Sequence, residues 1–278
     1  MKKILIAFFF CLLINGLSIA QNPEKVKGNR NVTTQLTDID SFHTIALDED
    51  FKVDIIYSQN ASVEIETDEN LHEFIKFEVI DSVLTFKKTT KITSKKRLDI
   101  KVTYNEFLKH IITSGNAEIL SLSTMNLKNG TLKTRGSSKA GLTIKSDDFS
   151  FNGDDKSKVK LNLTSENCTL NLSGYSKIEA LINTSQISAT LYQRANADIE
   201  GTCNNATLEL DNNTQLNAKN FTINNCSIVS SIGSDAYLEV LENITIDASG
   251  TCAIYLYENP KIVINKLTDT SKLQKKVK

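Results

Sequence analysis

Ser114-Gly115-Asn116, Arg135-Gly136-Ser137, Asn152-Gly153-Asp154 and Ser173-Gly174-Tyr175 are four copies of one turn-like element with glycine at its centre. Weaker copies follow at Gln193, at Asn212 and at Ile232 beside Gly233, and a clear one at Gly250. The steps between these centres are 21, 17, 21, 19, 19, 20 and 18 residues. A period near 20 is the signature of a solenoid, in which each repeat buries its apolar face only by stacking on the next. Apolar residues fall in register on these centres. Four residues before them stand Leu132, Phe149, Leu170, Ala189, Leu208, Ile228 and Ile246, and six after them Ser121, Leu142, Val159, Ala180, Ile199, Ala218, Leu238 and Leu256. Each series is an inward column if successive coils pair as parallel strands.

The fold class expected is therefore all-β, a right-handed parallel β-helix of about seven rungs of ~20 residues over residues 105–266. A meander or sandwich is the alternative, since Asn129-Gly130 and Asn152-Gly153 are hairpin-type dipeptides. The single period held through the rungs, and outward positions filled with Asn, Thr and Ser, favour the coil.

Upstream, residues 28–104 read as an N-terminal β region continuous with the helix, which caps or extends it. Phe51-Lys52-Val53-Asp54-Ile55, Val63-Glu64-Ile65 and Leu98-Asp99-Ile100-Lys101-Val102 alternate apolar and polar residues, as strands with one wet face do. Leu71 to Phe77 is the one place that suits a short helical turn. Open β-helix ends invite edge pairing, so the edges allow self-association unless capped. The N-terminal strands and the tail of residues 267–278 are the candidate caps.

Lys2 and Lys3, the apolar run Ile4 to Ile14 and Ser18-Ile19-Ala20 compose a secretory signal over residues 1–20, followed by a short linker over 21–27. The protein is then exported, to the periplasm, the outer membrane or the exterior, with no transmembrane segment in its mature chain. Removing two lysines leaves 30 basic against 33 acidic residues, a net charge of −3. That balance argues against nucleic acid as a partner. The one basic cluster, Lys87 to Lys101, reads as a solvated strand face.

Mature cysteines number four: Cys168, Cys203, Cys226 and Cys252. In an oxidising compartment disulfides must be weighed. The register places Cys168 and Cys226 in one column with Ile187 and Ala206 between them. Three rungs, ~14 Å, is beyond the ~7 Å that a disulfide spans. Both read as small core residues, while Cys203 and Cys252 stay undecided.

No catalytic residue, cofactor or metal is expected. His43, His72 and His110 all precede the repeats and sit in no hydrolase or metal motif. Asp147, Asp148, Asp154 and Asp155 are the weak candidates for a calcium or sugar-cleaving site, but Asp is expected in the turns flanking Phe149-Ser150-Phe151. Tyr175 and Tyr192, near successive turns, suit a small aromatic patch.

The chain also resembles the bacterial family described as putative auto-transporter adhesin, head GIN domain. The resemblance is carried by Gly28-Asn29-Arg30-Asn31-Val32, Asp40-Ser41-Phe42-His43-Thr44-Ile45, Val53-Asp54-Ile55, Val63 to Leu71, Ile75 to Leu84, the repeated glycine turns and Tyr257-Glu258-Asn259-Pro260. It implies a β-rich, exported, repetitive protein and brings no catalytic residue. The function expected is a non-catalytic, adhesin-like binding module of the cell envelope. Its partner is a glycan or surface protein met by Asn116, Ser137, Asp154, Tyr175 and Tyr192. A carbohydrate-active enzyme using the acidic turns and a self-associating structural protein are the rival readings.

Overall fold

The computed structural model describes residues 25–277, so the signal reading, with Cys11, lies outside the described residues. The chain is an all-β solenoid of about nine turns. In chain order the first strands are β1 (Lys25–Lys27), β2 (Val32–Asp38), β3 (Thr44–Leu47), β4 (Lys52–Tyr57) and β5 (Ser62–Asp68). A 3-10 helix, Glu69–Phe74, leads to β6 (Ile75–Ile80), β7 (Val83–Lys88), β8 (Lys91–Ser94) and β9 (Leu98–Tyr104). Short strands β10 (His110–Thr113) and β11 (Glu118–Ser121) open the regular coil. The coil continues through β12 (Met125–Thr134), β13 (Lys139–Gly153), β14 (Lys158–Leu172), β15 (Lys177–Tyr192), β16 (Asn196–Asp211), β17 (Gln215–Ser230) and β18 (Asp235–Ala248). It ends with β19 (Ala253–Tyr257), β20 (Lys261–Leu267) and β21 (Lys272–Lys275).

Each full rung is one long strand that alternates inward and outward residues until two consecutive residues face out, at Asp147-Asp148 in β13 and at Glu166-Asn167 in β14. That double-outward step is a corner. It divides the rung into a first face, running from turn to corner, and a second face, running from corner to the next turn.

The turn is a left-handed residue. Glu49, Gly115, Gly136, Asp155, Gly174, Gln193, Asn212, Ile232, Gly250 and Asp269 all have positive φ, one per coil. The turns stack through their backbones: Ser137 N–H donates to Gly115 O, Lys156 to Gly136 O and Tyr175 to Asp155 O. Glycine suits the stack because a Cβ on Gly136 would lie 2.9 Å from Gly115 O.

This row corrects one centre of the sequence reading. Gly153 lies inside β13, and its rung turns at Asp155. The steps of 17 and 21 residues become 19 and 19. Phe149 and Val159 accordingly leave the columns assigned to them. Phe151 aligns with Leu132 and Leu170, and Leu161 with Leu142 and Ala180. Neither Asn-Gly dipeptide makes a hairpin. Gly130 and Gly153 are buried within strands, where Cβ atoms would meet the Phe149 ring at 3.0 Å and the Phe151 ring at 2.7 Å. The large rings fill the coil, and glycine yields the space.

The cysteine column is as the register requires. Phe149, Cys168, Ile187, Ala206, Cys226 and Ile244 align in succession, and all four cysteines are free and buried. Cys203 lies just before the corner, where Ser146 and Thr184 stand in other rungs, and all three donate to the backbone carbonyl two residues on. Cys252 is buried at its turn and donates to Ser230 O.

At the N-terminal end the parallel stack runs past residue 105. β10 pairs with β3 and β3 with β7, while β11 pairs with β4 and β4 with β9. Antiparallel β6 then covers β7, and β5 followed by β2 covers β9. The region thus both extends and caps the coil. Residues 25–27 form β1 on β8 rather than a linker, and the helical turn begins at Glu69, two residues earlier than expected. Three members of the basic cluster are ion-paired: Lys88 with Asp50, Arg97 with Glu66 and Asp99, Lys101 with Glu64. At the other end the expected C-terminal cap is the last rung itself, since β20 pairs with β18 and β21 with β19.

Candidate functional site

The second face carries the most regular chemistry. Its first outward column, just past the corner, is Asn129, Asp148, Asn167, Gln186, Asn205, Asn225 and Asn243, aligned rung on rung. Amides stack well here because each carries a donor and an acceptor at strand spacing. Asn167 Nδ2 donates to Asp148 Oδ1 at 2.8 Å, Asn225 to Asn205 Oδ1 at 3.4 Å and Asn243 to Asn225 Oδ1 at 2.8 Å. Asn129 joins the row with a bond to Asp148 Oδ2 at 3.3 Å when its amide is oriented to satisfy both polar atoms.

Two residues further along each strand stands a column of hydroxyls: Thr131, Ser150, Thr169, Ser188, Thr207, Ser227 and Thr245. All are exposed or half-buried. Among the described residues none of these seven hydroxyls bonds to another group of the protein, in contrast to the column beside them, where only Gln186 lacks a side-chain bond. With rungs ~4.8 Å apart the row extends about 29 Å. A third column, Lys133, Asn152, Asn171, Thr190, Glu209, Val229 and Asp247, borders it on the turn side, with Asn171 donating to Asn152 at 3.1 Å.

The residues singled out from sequence divide between two rows. Asn116, Ser137 and Tyr175 each follow the left-handed residue of their turn, but Asp154 precedes its own, and Lys156 holds the equivalent place in that rung. Asp154 therefore stands outside the row that Asn116, Ser137 and Tyr175 share. Asp154 accepts from the Ser173 hydroxyl at 2.7 Å. It joins Tyr192, Lys133, Arg135, Asn152 and Asn171 around a shallow cleft of about 420 Å³ at the margin of the second face. Tyr175 lies on the far side of the turn, its hydroxyl accepting from Arg194 and its ring beneath that guanidinium at 5.5 Å.

Asp147 and Asp148 sit at the corner, Asp154 and Asp155 at the turn. The six residues from Asp148 to Asp154 along extended strand span roughly 20 Å, more than twice the separation at which paired carboxylates cleave a glycosidic bond. Asp148 already holds two amides, and Asp155 accepts from Gly136 N–H at 2.9 Å. Among the described residues no three His, Cys, Asp or Glu side chains converge on a metal position. His43 and His110 are exposed, and His72 is bonded to Thr33. Partial desolvation of its ring and the nearby Lys109, Lys133 and His43 charges lower the pKa of His110.

The first face has a groove of about 510 Å³ lined by Lys160, Glu179, Leu181, Asp198 and Glu200. Its charges are largely engaged. Lys160 pairs with Glu179 at 3.4 Å, and Asn217 and Asn220 donate to Asp198 and Glu200. Tyr237 and Tyr255 stack at 4.5 Å with Lys276 over Tyr255, so they present edges rather than open ring faces. The hydroxyl row was missed from sequence although its signal is plain once the period is known. Asn129-Gly-Thr131, Asn167-Cys-Thr169, Asn205-Ala-Thr207, Asn225-Cys-Ser227 and Asn243-Ile-Thr245 recur with one pattern.

Among solved structures the chain is similar to a protein from Parabacteroides distasonis described as a putative adhesin, 19% identical, with TM-score 0.67 over 90% of this chain and 100% of the other. A second putative adhesin, from Parabacteroides merdae, is 19% identical with TM-score 0.63 over 91% and 99%. A third structure, from Parabacteroides distasonis and described as a putative lipid binding protein, is 15% identical with TM-score 0.57 over 91% and 98%. At these identities the likeness is one of fold. No curated protein matches the chain significantly. Among the described residues no helix is long and apolar enough to cross a membrane. A family model matches residues 41–181 and again 151–260, together most of the solenoid, and on that match the chain belongs to the family described as "putative auto-transporter adhesin, head GIN domain".

Proposed function

We propose that this chain is an exported, non-catalytic binding module of the cell envelope, whose contact surface is the second face of the solenoid. The observation that carries the reading is the row of seven hydroxyls left without partners beside a column whose side chains, Gln186 excepted, bond to one another. A rigid row of unspent donors and acceptors at strand spacing suits an extended, polyhydroxylated chain, a glycan, which meets the same group at each step. Asp154 and Tyr192 at the margin supply a carboxylate and an aromatic ring. The family's adhesin description and the secretory signal expected over residues 1–20 support an envelope or extracellular location.

The test is a binding screen of the purified protein against bacterial and host glycans and matrix proteins, with and without calcium. It is followed by the triple variant Thr169→Val, Ser188→Ala, Thr207→Val. Each hydroxyl bond to a ligand is worth about 0.5–1.5 kcal/mol, so the triple variant should weaken glycan binding at least about tenfold while leaving the circular dichroism spectrum unchanged. A glycan bound equally well by both proteins places the site elsewhere, and no saturable glycan overturns the reading.

A further inference from the structure

The two ends of the solenoid differ in a way that the binding face does not explain. At the C-terminal end β20 and β21 pair on one side only. Ile262 and Ile264 continue the columns of Ile244 and Ile246. The latter are 1% and 0% exposed, whereas Ile262 and Ile264 are 44% and 47% exposed, because no further rung of the described residues covers them. Around this apolar end lie Lys261, Lys266, Lys272, Lys275 and Lys276 against the acids Glu258 and Asp269. At the N-terminal end, among the described residues, β2 and β6 are the edges of the solenoid sheet, each paired on one side only, with Leu36 65% and Ile80 57% exposed. Asp38, Asp40 and Glu78 line one groove between those edges, with Asp81 and Lys76 beside it, while Lys25, Lys27 and Lys91 belong to the separate β1–β8 pair and Lys95 and Lys96 follow it.

We infer that the basic, open C-terminal rung docks on the acidic N-terminal cap of a second copy of this chain, head to tail. Three observations converge. Both ends present unpaired strand edges flanked by exposed aliphatic residues, and such edges are templates for strand addition. The free edges also match by face, since β20 and β6 terminate the second face while β21 and β2 terminate the first. The charges then select the polarity. Two C-terminal ends would bring lysines together and two N-terminal ends would bring carboxylates together. Only the mixed contact sets opposite signs face to face. The contact is heterologous, so repetition gives an open chain of solenoids rather than a closed dimer, with the binding face of each copy continued by the next.

Sedimentation velocity of the purified protein over a wide concentration range tests this. Mass should rise with concentration, and added salt should weaken the association because the steering charges are exposed. Two charge-reversed proteins complete the experiment: Lys261→Glu, Lys266→Glu, Lys272→Glu at one end, and Asp38→Lys, Asp40→Lys, Glu78→Lys at the other. None of these six side chains makes a hydrogen bond or ion pair within the described residues, so both proteins should fold. Each alone should associate at least about tenfold more weakly than the parent. Mixed in equal amounts they should associate again, since the acidic end of one now meets the basic end of the other. A parent that stays monomeric throughout overturns the inference. So does association untouched by both reversals, or a mixture that fails to recover.

Discussion

Ser157 and Ser176 occupy equivalent places, two residues past the turns of adjacent rungs, and both are fully buried. Ser157 accepts from the Thr134 hydroxyl at 2.9 Å, but Ser176 has no partner for its hydroxyl. The cause is one rung back: the residue corresponding to Thr134 is Gly153, which has no side chain because the Phe151 ring fills that space. An unpaired buried hydroxyl costs about 1–3 kcal/mol, so Ser176→Ala should stabilise the protein by about 1 kcal/mol while Ser157→Ala destabilises it by a similar amount. Thermal unfolding of the two variants decides it, and a loss in both contradicts the account. The turn row offers a second test. Ile232 is a β-branched residue held at φ 42°, where glycine or asparagine belongs, and Ile232→Gly should stabilise by about 1 kcal/mol. Thiol titration gives a third. Burial pushes Cys168 and Cys226 up to about 12 and Cys203 to about 11, from an ordinary value of 9.0. Above pH 9 the unfolded chain loses these protons while the folded chain keeps them, so stability is full below pH 9 and falls as pH rises toward 11–12. Denaturant midpoints at pH 8 and pH 10.5 should show the drop, and a variant with Ala at all three positions should show less of it.

A rung is the element of this fold, and its 19-residue step makes it removable. Deleting residues 158–176 joins Ser157 to Lys177, and because Lys158 pairs with Lys177 the register closes without a slip. The shortened chain should keep its β spectrum and unfold only a few degrees lower, as expected when stability is a sum over repeats and their interfaces. Deleting residues 158–165 instead puts Asn167, Thr169 and Asn171 in the inward places of Val159, Leu161 and Leu163, and that chain should not fold. How much of the rung was legible follows from the same geometry. The inward columns and the cysteine alignment could be read because burial demands apolar residues at fixed offsets. The turn at Asp155 was hidden because Gly153, two residues earlier, looks more like a turn than Asp155 does. There glycine answers a packing demand of Phe151, which only the neighbouring side chains reveal. The hydroxyl row was hidden for a different reason. Outward Ser and Thr satisfy any wet strand, and only the pairing register shows that seven of them align without partners.

At the scale of the whole molecule the solenoid is a one-dimensional stack with unlike ends, and its stability should be graded along the axis. Central rungs β14, β15 and β16 are each paired on both sides along nearly their whole length, with one irregularity at Ile199. The N-terminal end is closed by antiparallel strands over Leu84, Ile100 and Val102, all buried. The last rung has one neighbour, and every residue of β20 is exposed. In such an array local opening needs only the interface to the next repeat, so the terminal repeat without a cap opens at the lowest free energy. Backbone hydrogen exchange should therefore be slowest over β14 to β16, intermediate at β3 and β4, and fastest over β20 and β21. The gradient separates two views of the molecule. If the basic C-terminal rung finds the acidic cap of another copy, protection of β20 rises with protein concentration while that of β15 does not change. If the profile is flat at every concentration, the rungs unfold as one cooperative body, and the additive picture behind the rung deletion fails with it.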